Sequence, residues 1–408
     1  MSSEQGLSKI KPSSITNILT LRYDPSIKPN LPKKIWSDLK PSIQKPSIEV
    51  IEKSIQGTIK AQLNALSVKK ICIALSGGID SALILTLIKK TIPDIQVDAI
   101  SVKFANSVDE TESASKIAAE LGAEHHVIYL ENYLRELPKA ISIIKLPFWD
   151  LHWYHVAKKS QSLAKHLASG DGGDELFGGY TFRYKKFLSL IDTNSTPLEK
   201  IRAYLSCHER DHVPDQEEVF SKKAKFSWDC IYKTLFSYFD NKLSPIEQVF
   251  LADYNGKLLY NFSPLNERIS NHFDIQSVSP LLSEEILSYS LSMPSENKYD
   301  KIKNIGKLPL RKLLSKYDMD KFIPHEKLGF NVNTTNLWRS VGKSLCQEYL
   351  VDSQAVKDGW INKDWINRYV HQDDLDVRYV NKFLGLLAFE IWYRLFITKN
   401  MSANTTLN

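Results

Sequence analysis

The sequence predicts an α/β fold: a doubly wound parallel sheet followed by a helical C-terminal portion. Three observations lead there. Short apolar runs at Lys70–Leu75, Gln96–Phe104 and His126–Leu130 read as strands. Stretches between them repeat their apolar residues at helical spacing, and strands alternating with helices argue a parallel sheet. Beyond Tyr180 the alternation stops and long helical patterns take over.

Residues 1–47 carry prolines at positions 12, 25, 29, 32, 41 and 46 among lysines and serines, which predicts an extended arm. From Ile48 to Leu66, apolar residues at 48, 51, 55, 59, 63 and 66 mark one amphipathic helix. The run KICIAL at Lys70–Leu75 then meets a glycine turn and SALILTLIKK, hence strand, tight loop and helix. Strand Gln96–Phe104 follows, then a helix from Asp109 to Leu121, a stop at Gly122 and strand His126–Leu130. A polar strand at Ala164–Ala168 is the last of the series. The α/β core is thus placed at 48–205 and a helical part of the same domain at 206–400. The clearest helices there are Pro245–Leu259, Ser283–Leu291, Leu308–Tyr317 and Val380–Phe396, and residues 401–408 are expected to form a loose tail.

Composition narrows the function classes. With 43% hydrophobic and 25% charged residues in 408, the chain reads as a soluble globular protein. Its net charge of +6 would draw in a small anion, but no dense basic run or nucleic-acid motif is present. Cys72, Cys207, Cys230 and Cys346 are too scattered for a zinc site, so reduced thiols are expected. The N-terminus is polar and no apolar run could span a bilayer, which leads to an expected cytoplasmic location without membrane contact.

The chemistry concentrates in two segments. Leu75-Ser76-Gly77-Gly78-Ile79-Asp80-Ser81 ends a buried strand and opens a helix. Adjacent glycines let backbone N–H groups approach an anion, the helix N-terminus adds partial positive charge, and the two serines can donate hydroxyls. No lysine follows as a Walker loop requires, and the dinucleotide fingerprint is absent. Asp80 is the informative residue, because an acid beside a phosphate cradle is repulsive unless a cation lies between them. Alone, the segment could also be an ordinary glycine turn with a first-turn acid. Ser169-Gly170-Asp171-Gly172-Gly173-Asp174-Glu175-Leu176-Phe177-Gly178-Gly179-Tyr180 packs five glycines and three acids into twelve residues. Acids crowded in this way raise each other's pKa unless a metal is bound.

The first segment resembles the SGGxDS pyrophosphate loop of the ATP-pyrophosphatase (adenine nucleotide alpha hydrolase-like) superfamily. The second resembles the SG(D/E)GxDExFGGY signature of the asparagine synthetase family. The resemblance implies that Leu75, Ser76, Gly77, Gly78, Asp80, Ser81, Ser169 and Gly170 bind ATP, with the Val102 backbone at the adenine. It further implies Mg²⁺ on Asp80 and Asp174, Asp171 as proton acceptor for ammonia, and Lys327 on the charged intermediate. Lys307, Arg268 and Glu175 are implied as further substrate or phosphate contacts. Lys307-Leu308-Pro309-Leu310-Arg311 fits the family's KxxLR helix, and His325–Phe330 fits its RxKxGF with His325 in place of arginine.

One block departs: the family's ExRxPFLD reads here Gln276-Ser277-Val278-Ser279-Pro280-Leu281-Leu282-Ser283. Three charged side chains are lost near the expected acceptor pocket. Ser2 also stands where a glutaminase of this family needs cysteine, and too little chain precedes Gly77 for that domain. Leu19–Pro41 resembles the segment that would join it to the synthetase.

The expected function is therefore asparagine synthetase-like. Aspartate is activated by ATP as an acyl-adenylate and attacked by ammonia, taken free or from a separate glutaminase subunit. Three alternatives stay open: a β-lactam or macrolactam synthetase-like ligase, a tRNA-modifying ATP pyrophosphatase, and a catalytically silent ATP-binding subunit.

Overall fold

The computed structural model describes residues 11–40, 46–63, 68–104, 111–324 and 333–408. It opens with helix α1 (Pro12–Leu21), where the prolines predict an extended arm. Pro12 sits in the first turn, where its missing N–H is no loss. Ile15, Ile18 and Leu19 then fall on one face and are buried. The prolines thus bracket a helix instead of preventing one. Residues 22–40 run without regular structure apart from a turn at Trp36–Asp38. Residues 1–10 and 41–45 of the expected arm lie outside the described residues.

Helix α2 (Ile48–Leu63) follows the predicted period, with Ile51, Ile55, Ile59 and Leu63 fully buried. Next come β1 (Lys70–Ala74), α3 (Ile79–Thr91), β2 (Gln96–Phe104), α4 (Thr111–Glu120) and β3 (Glu124–Leu130). Then follow α5 (Leu137–Ile144), α6 (His152–Gln161), β4 (His166–Ala168) and α7 (Gly173–Phe177). A fifth strand, β5 (Gln276–Val278), arrives after the helix Ser263–His272 and pairs with β4. The sheet therefore takes a strand from beyond residue 205, a correction to the core placed at 48–205. Two of its three residues are exposed polar side chains, so no hydrophobic run marks it.

The order β3-β2-β1-β4-β5 is parallel throughout. This is the doubly wound α/β fold, and its winding is visible in the alternation along each strand. Ile71, Ile73, Val97 and Ala99 face one core with α2, α3, α4 and the helix Leu308–Ser315. Cys72, Ala74, Ile100 and Val102 face the other, with α5, α6 and the terminal helix Val377–Phe396. Each fully buried Leu, Ile or Val in these layers stabilises the fold by about 1.5–3 kcal/mol.

Two expectations for the helical portion change. The helix at Pro245–Leu259 keeps regular form only to Asp253, and the stretch Tyr254–Phe262 is broken by a kink. Gly256 leaves helical geometry there, and buried Asn255 accepts from the Lys34 N–H at 3.0 Å and donates to its carbonyl at 2.8 Å. The N-terminal segment is thus docked beside the kink. The loose tail is also corrected. Leu407 is 1% exposed, and its N–H donates to the Arg135 carbonyl at 2.9 Å. Among the described residues no helix is long and apolar enough to cross a membrane. All four cysteines are free thiols, with only Cys230 exposed.

Candidate active site

Two loops meet at the C-terminal ends of β1 and β4, which lie side by side with Cys72 paired to Leu167 and Ile73 to Ala168. From β1 the chain winds outward to β2 and β3, and β4 and β5 extend the sheet on the other side. Ligands of open α/β sheets bind at this kind of reversal.

The first loop, Leu75–Gly78, is tied to β2. The Leu75 N–H donates to the Ile100 carbonyl at 2.9 Å, and Ser101 Oγ donates to the Leu75 carbonyl at 2.6 Å. Gly77 has φ of +71°, a conformation that favours glycine. Inside the turn, the Ser76 N–H donates to Ser81 Oγ at 3.2 Å and the Gly78 N–H to Ser76 Oγ at 3.3 Å. Both serines therefore shape the loop that α3 then extends.

The second loop runs from Ser169 through α7 to Tyr180. Its start is fixed by the Ser169 N–H donating to the Val278 carbonyl at 3.0 Å, with Ser169 Oγ 3.0 Å from Ser279 Oγ. It lies directly on the first loop. A Cβ built on Gly173 would be 2.3 Å from Asp80 Cγ, and one on Gly179 would be 1.8 Å from Asp174 Oδ1. Both distances are far inside van der Waals contact, so these glycines are dictated by the carboxylates beside them.

Lys307 joins the two loops. Its Nζ stands 2.5 Å from Asp80 Oδ2 and 2.7 Å from Asp174 Oδ1. Burial alone would lower the pKa of this ammonium, but Asp174 and Asp80 outweigh it and hold the group firmly charged. The lysine is placed by backbone: φ is +57°, its N–H donates to the Phe177 carbonyl at 2.9 Å, and it caps the helix Leu308–Ser315. A Cβ on the preceding Gly306 would be 1.9 Å from the Gly178 carbonyl oxygen.

Glu175 points away from this pair. Burial, then the neighbouring Asp174 charge, pushes its carboxyl up to about 7, and Tyr180 OH donates to it at 2.6 Å. Behind it lies a cavity of about 20 Å³ lined by Tyr23, Arg183, His208, Asp253 and Lys257 among others, room for about one water.

Two carboxylates on facing glycine turns, converging on one buried cation, form a donor set suited to a hard divalent ion such as Mg²⁺. The residues present fit that group. The group formed by Asp98, Glu124 and His126 lies at the opposite, N-terminal end of the strands. There Lys70 Nζ is 2.8 Å from Asp98 Oδ2, and His126 Nε2 is 2.7 Å from Asp98 Oδ1, away from both glycine turns.

The sequence model of the asparagine synthase family matches residues 51–394, which span both loops, Lys307 and the whole sheet. The chain belongs to the asparagine synthase family. A relative named asparagine synthetase [glutamine-hydrolyzing] 1, from Bacillus subtilis (strain 168), is 26% identical over 361 residues, covering 80% of this chain and 56% of its own length. The asparagine synthetase of Bos taurus is 26% identical over 134 residues, 29% of this chain and 23% of its own. The chain thus spans about half or less of the length of these relatives. Among solved structures, the NH3-dependent NAD synthetase of Campylobacter jejuni overlaps with a TM-score of 0.25 at 17% identity, over 49% of this chain and 100% of that one. The U34-tRNA thiolase NcsA of Methanococcus maripaludis gives 0.30 at 11%, over 81% and 82%. Overlaps this loose have no bearing on function.

The asparagine synthase motifs read from sequence are distributed as follows. Leu75, Ser76, Gly77, Gly78, Asp80, Ser81, Ser169, Gly170, Asp174 and Lys307 come together at the crevice. Asp171 lies at its edge, accepting from Asn266 Nδ2 at 3.1 Å. The Val102 side chain is 6% exposed and belongs to the core facing α6, leaving only its backbone for the site. Arg268 is committed elsewhere, its Nη1 donating to the Ile144 carbonyl at 2.5 Å, which ties the helix Ser263–His272 to α5. Lys327, with the rest of His325–Phe330, lies outside the described residues, as do Asp109 and Glu110. Asn266 and Gly306 also join the site, and neither is marked in the sequence motifs: Gly306 is detectable as a glycine next to Lys307, whereas Asn266 carries no local signal.

Proposed function

We propose that this chain is an ATP-dependent amide-forming ligase, with aspartate as the favoured acceptor and asparagine as the product. The observation that supports it best is the convergence of Asp80 and Asp174 on one buried cation, at the junction of two glycine turns. In the first step a carboxylate oxygen attacks the α-phosphorus of ATP, the α–β phosphoanhydride bond breaks, and pyrophosphate leaves. In the second, ammonia attacks the acyl-adenylate carbonyl, AMP leaves, and a proton is released with the amide.

In this reading the Leu75–Ser81 turn holds the departing pyrophosphate with backbone N–H groups and the serine hydroxyls. Asp80 and Asp174 would hold Mg²⁺, which supplies charge stabilisation for the leaving phosphates. Gly170 and Gly173 allow the second turn to close against the first, Gly179 leaves room for Asp174 and the Lys307 stem, and Lys307 supplies positive charge beside the polyphosphate. Asp171, oriented by Asn266, accepts the proton from the attacking nitrogen. Lys327 is proposed to stabilise the charged intermediate. Nitrogen would come from free ammonia or a separate glutaminase subunit.

A second reading is favoured by the Gln276–Ser283 block. The family's three charged positions are Gln276, Val278 and Ser283 here; Val278 is buried in the core, and Ser283 caps the helix Glu284–Leu291. A block without those charges suits a carboxylate acceptor less charged than aspartate. The test is pyrophosphate release from ATP, Mg²⁺ and ammonium, with aspartate or with a panel of other carboxylates. Release with asparagine formed supports the first reading, and release only with another carboxylate the second. Silence with every acceptor removes both.

A further inference from the structure

We propose that Lys307 and the divalent cation compete for the Asp80–Asp174 pair, so that metal is taken up together with nucleotide and not ahead of it. The inference rests on the ligase reading above. The ammonium already occupies the gap between the two carboxylates, at 2.5 and 2.7 Å, and Lys307 is only 6% exposed. The ammonium already offsets part of the pair's negative charge, and Arg311 also faces Asp80. The ammonium and a divalent ion together in that gap would place like charges in contact within a buried site, where repulsion is strong.

The backbone decides which part can yield. Lys307 is pinned by its bond to the Phe177 carbonyl and by Gly306 pressed against the Gly178 carbonyl, so its Cα cannot withdraw. Its stem runs past Gly179, where an added Cβ would stand 2.4 Å from Lys307 Cε. Only the flexible four-carbon chain can turn away. A divalent ion arriving alone must move a buried ammonium off both of its carboxylates, which carries a desolvation cost. A nucleotide arriving with the ion brings polyphosphate oxygens, which give the displaced ammonium a new partner. Metal and nucleotide are then positively coupled, and Lys307 is the source of the coupling.

The test uses Mn²⁺ as the probe, with bound ion followed by electron paramagnetic resonance, on the full chain without nucleotide. Lys307→Met is expected to bind Mn²⁺ at least about tenfold more tightly than wild type, since the competitor is gone. Asp80→Asn added to Lys307→Met should remove that gain. With α,β-methylene-ATP, Mn²⁺ affinity should rise steeply in wild type and far less in the variant. Lys307→Gln serves as the second variant if Lys307→Met does not melt cooperatively. Mn²⁺ affinity in the folded variant equal to or weaker than wild type overturns the proposal. These titrations need no turnover, so failure of the ligase reading shows separately, as wild type that releases no pyrophosphate with any acceptor.

Discussion

Gly173 lies against Asp80 so closely that a Cβ on the glycine would stand 2.3 Å from the Asp80 Cγ and 2.4 Å from its Oδ1. The two residues come from different glycine turns, and their contact sets where the Asp80 carboxylate can be. Gly173→Ala should therefore displace that carboxylate by a fraction of an ångström or more. Pyrophosphate release is expected to fall about 100-fold, as small misplacements at reacting centres do. Overpacking should also cost about 1–3 kcal/mol, read from urea unfolding. An alanine variant with unchanged turnover would show that the contact is not restrictive.

The same substitution at Gly57 should act in the opposite direction. Gly57 is exposed on α2, and an added Cβ meets nothing within 4 Å. Gly57→Ala is expected to stabilise the chain by about 0.5–1 kcal/mol, because alanine favours the helix and restricts the unfolded chain. A rise in melting temperature without change in turnover is the expected pair of readings.

Glu175 predicts a pH dependence of stability. Its carboxyl is pushed from the ordinary 4.5 up to about 7, first by burial and then by Asp174. Between these values the folded chain keeps a proton that the unfolded chain loses, so stability must fall as pH rises through this window. Below about 4.5 both states are protonated and the penalty is absent; above about 7 it is complete. Glu175→Gln retains an acceptor for Tyr180 OH and removes the titration. Melting curves across this range should show wild type losing on the order of 2 kcal/mol relative to the variant as pH rises. Parallel curves for the two proteins would contradict the assignment.

Leu407 tests the docked C-terminus. At 1% exposure, with its N–H donating to Arg135 and its carbonyl accepting from Asn132 Nδ2 at 2.9 Å, it is part of the core layer on α5. Leu407→Ala is expected to cost about 2–4 kcal/mol in urea unfolding. A change within a few tenths would mean that the segment is only loosely attached.

The strands and the two glycine turns were legible because their signals are local. A run such as Lys70–Ala74 is buried on both faces, and Asp174 announces itself by its crowded neighbours. What escaped depends on partners distant in sequence. Strand β5 has two exposed polar residues out of three and exists because β4 offers an open edge. Helix α1 is short and set among prolines, and it is held by packing that includes Gln216 Nε2 donating to the Leu19 carbonyl at 3.1 Å. Arg268 occupies its family position in sequence, yet its hydrogen bond goes to a carbonyl 124 residues earlier. The placement of Lys307 between Asp80 and Asp174 likewise spans 227 residues to the first of them, beyond the reach of any local pattern.

The most direct measurement of the central claim is pyrophosphate release by Asp80→Asn, with ATP, Mg²⁺, ammonium and the acceptor that serves wild type. The substitution keeps the size of the side chain and removes one of the two charges that converge on the cation. Release is expected to fall by about 1000-fold or more while the melting temperature stays within a few degrees of wild type. A folded Asp80→Asn chain that turns over at near wild-type rate would contradict the assignment of this carboxylate to the metal and nucleotide site.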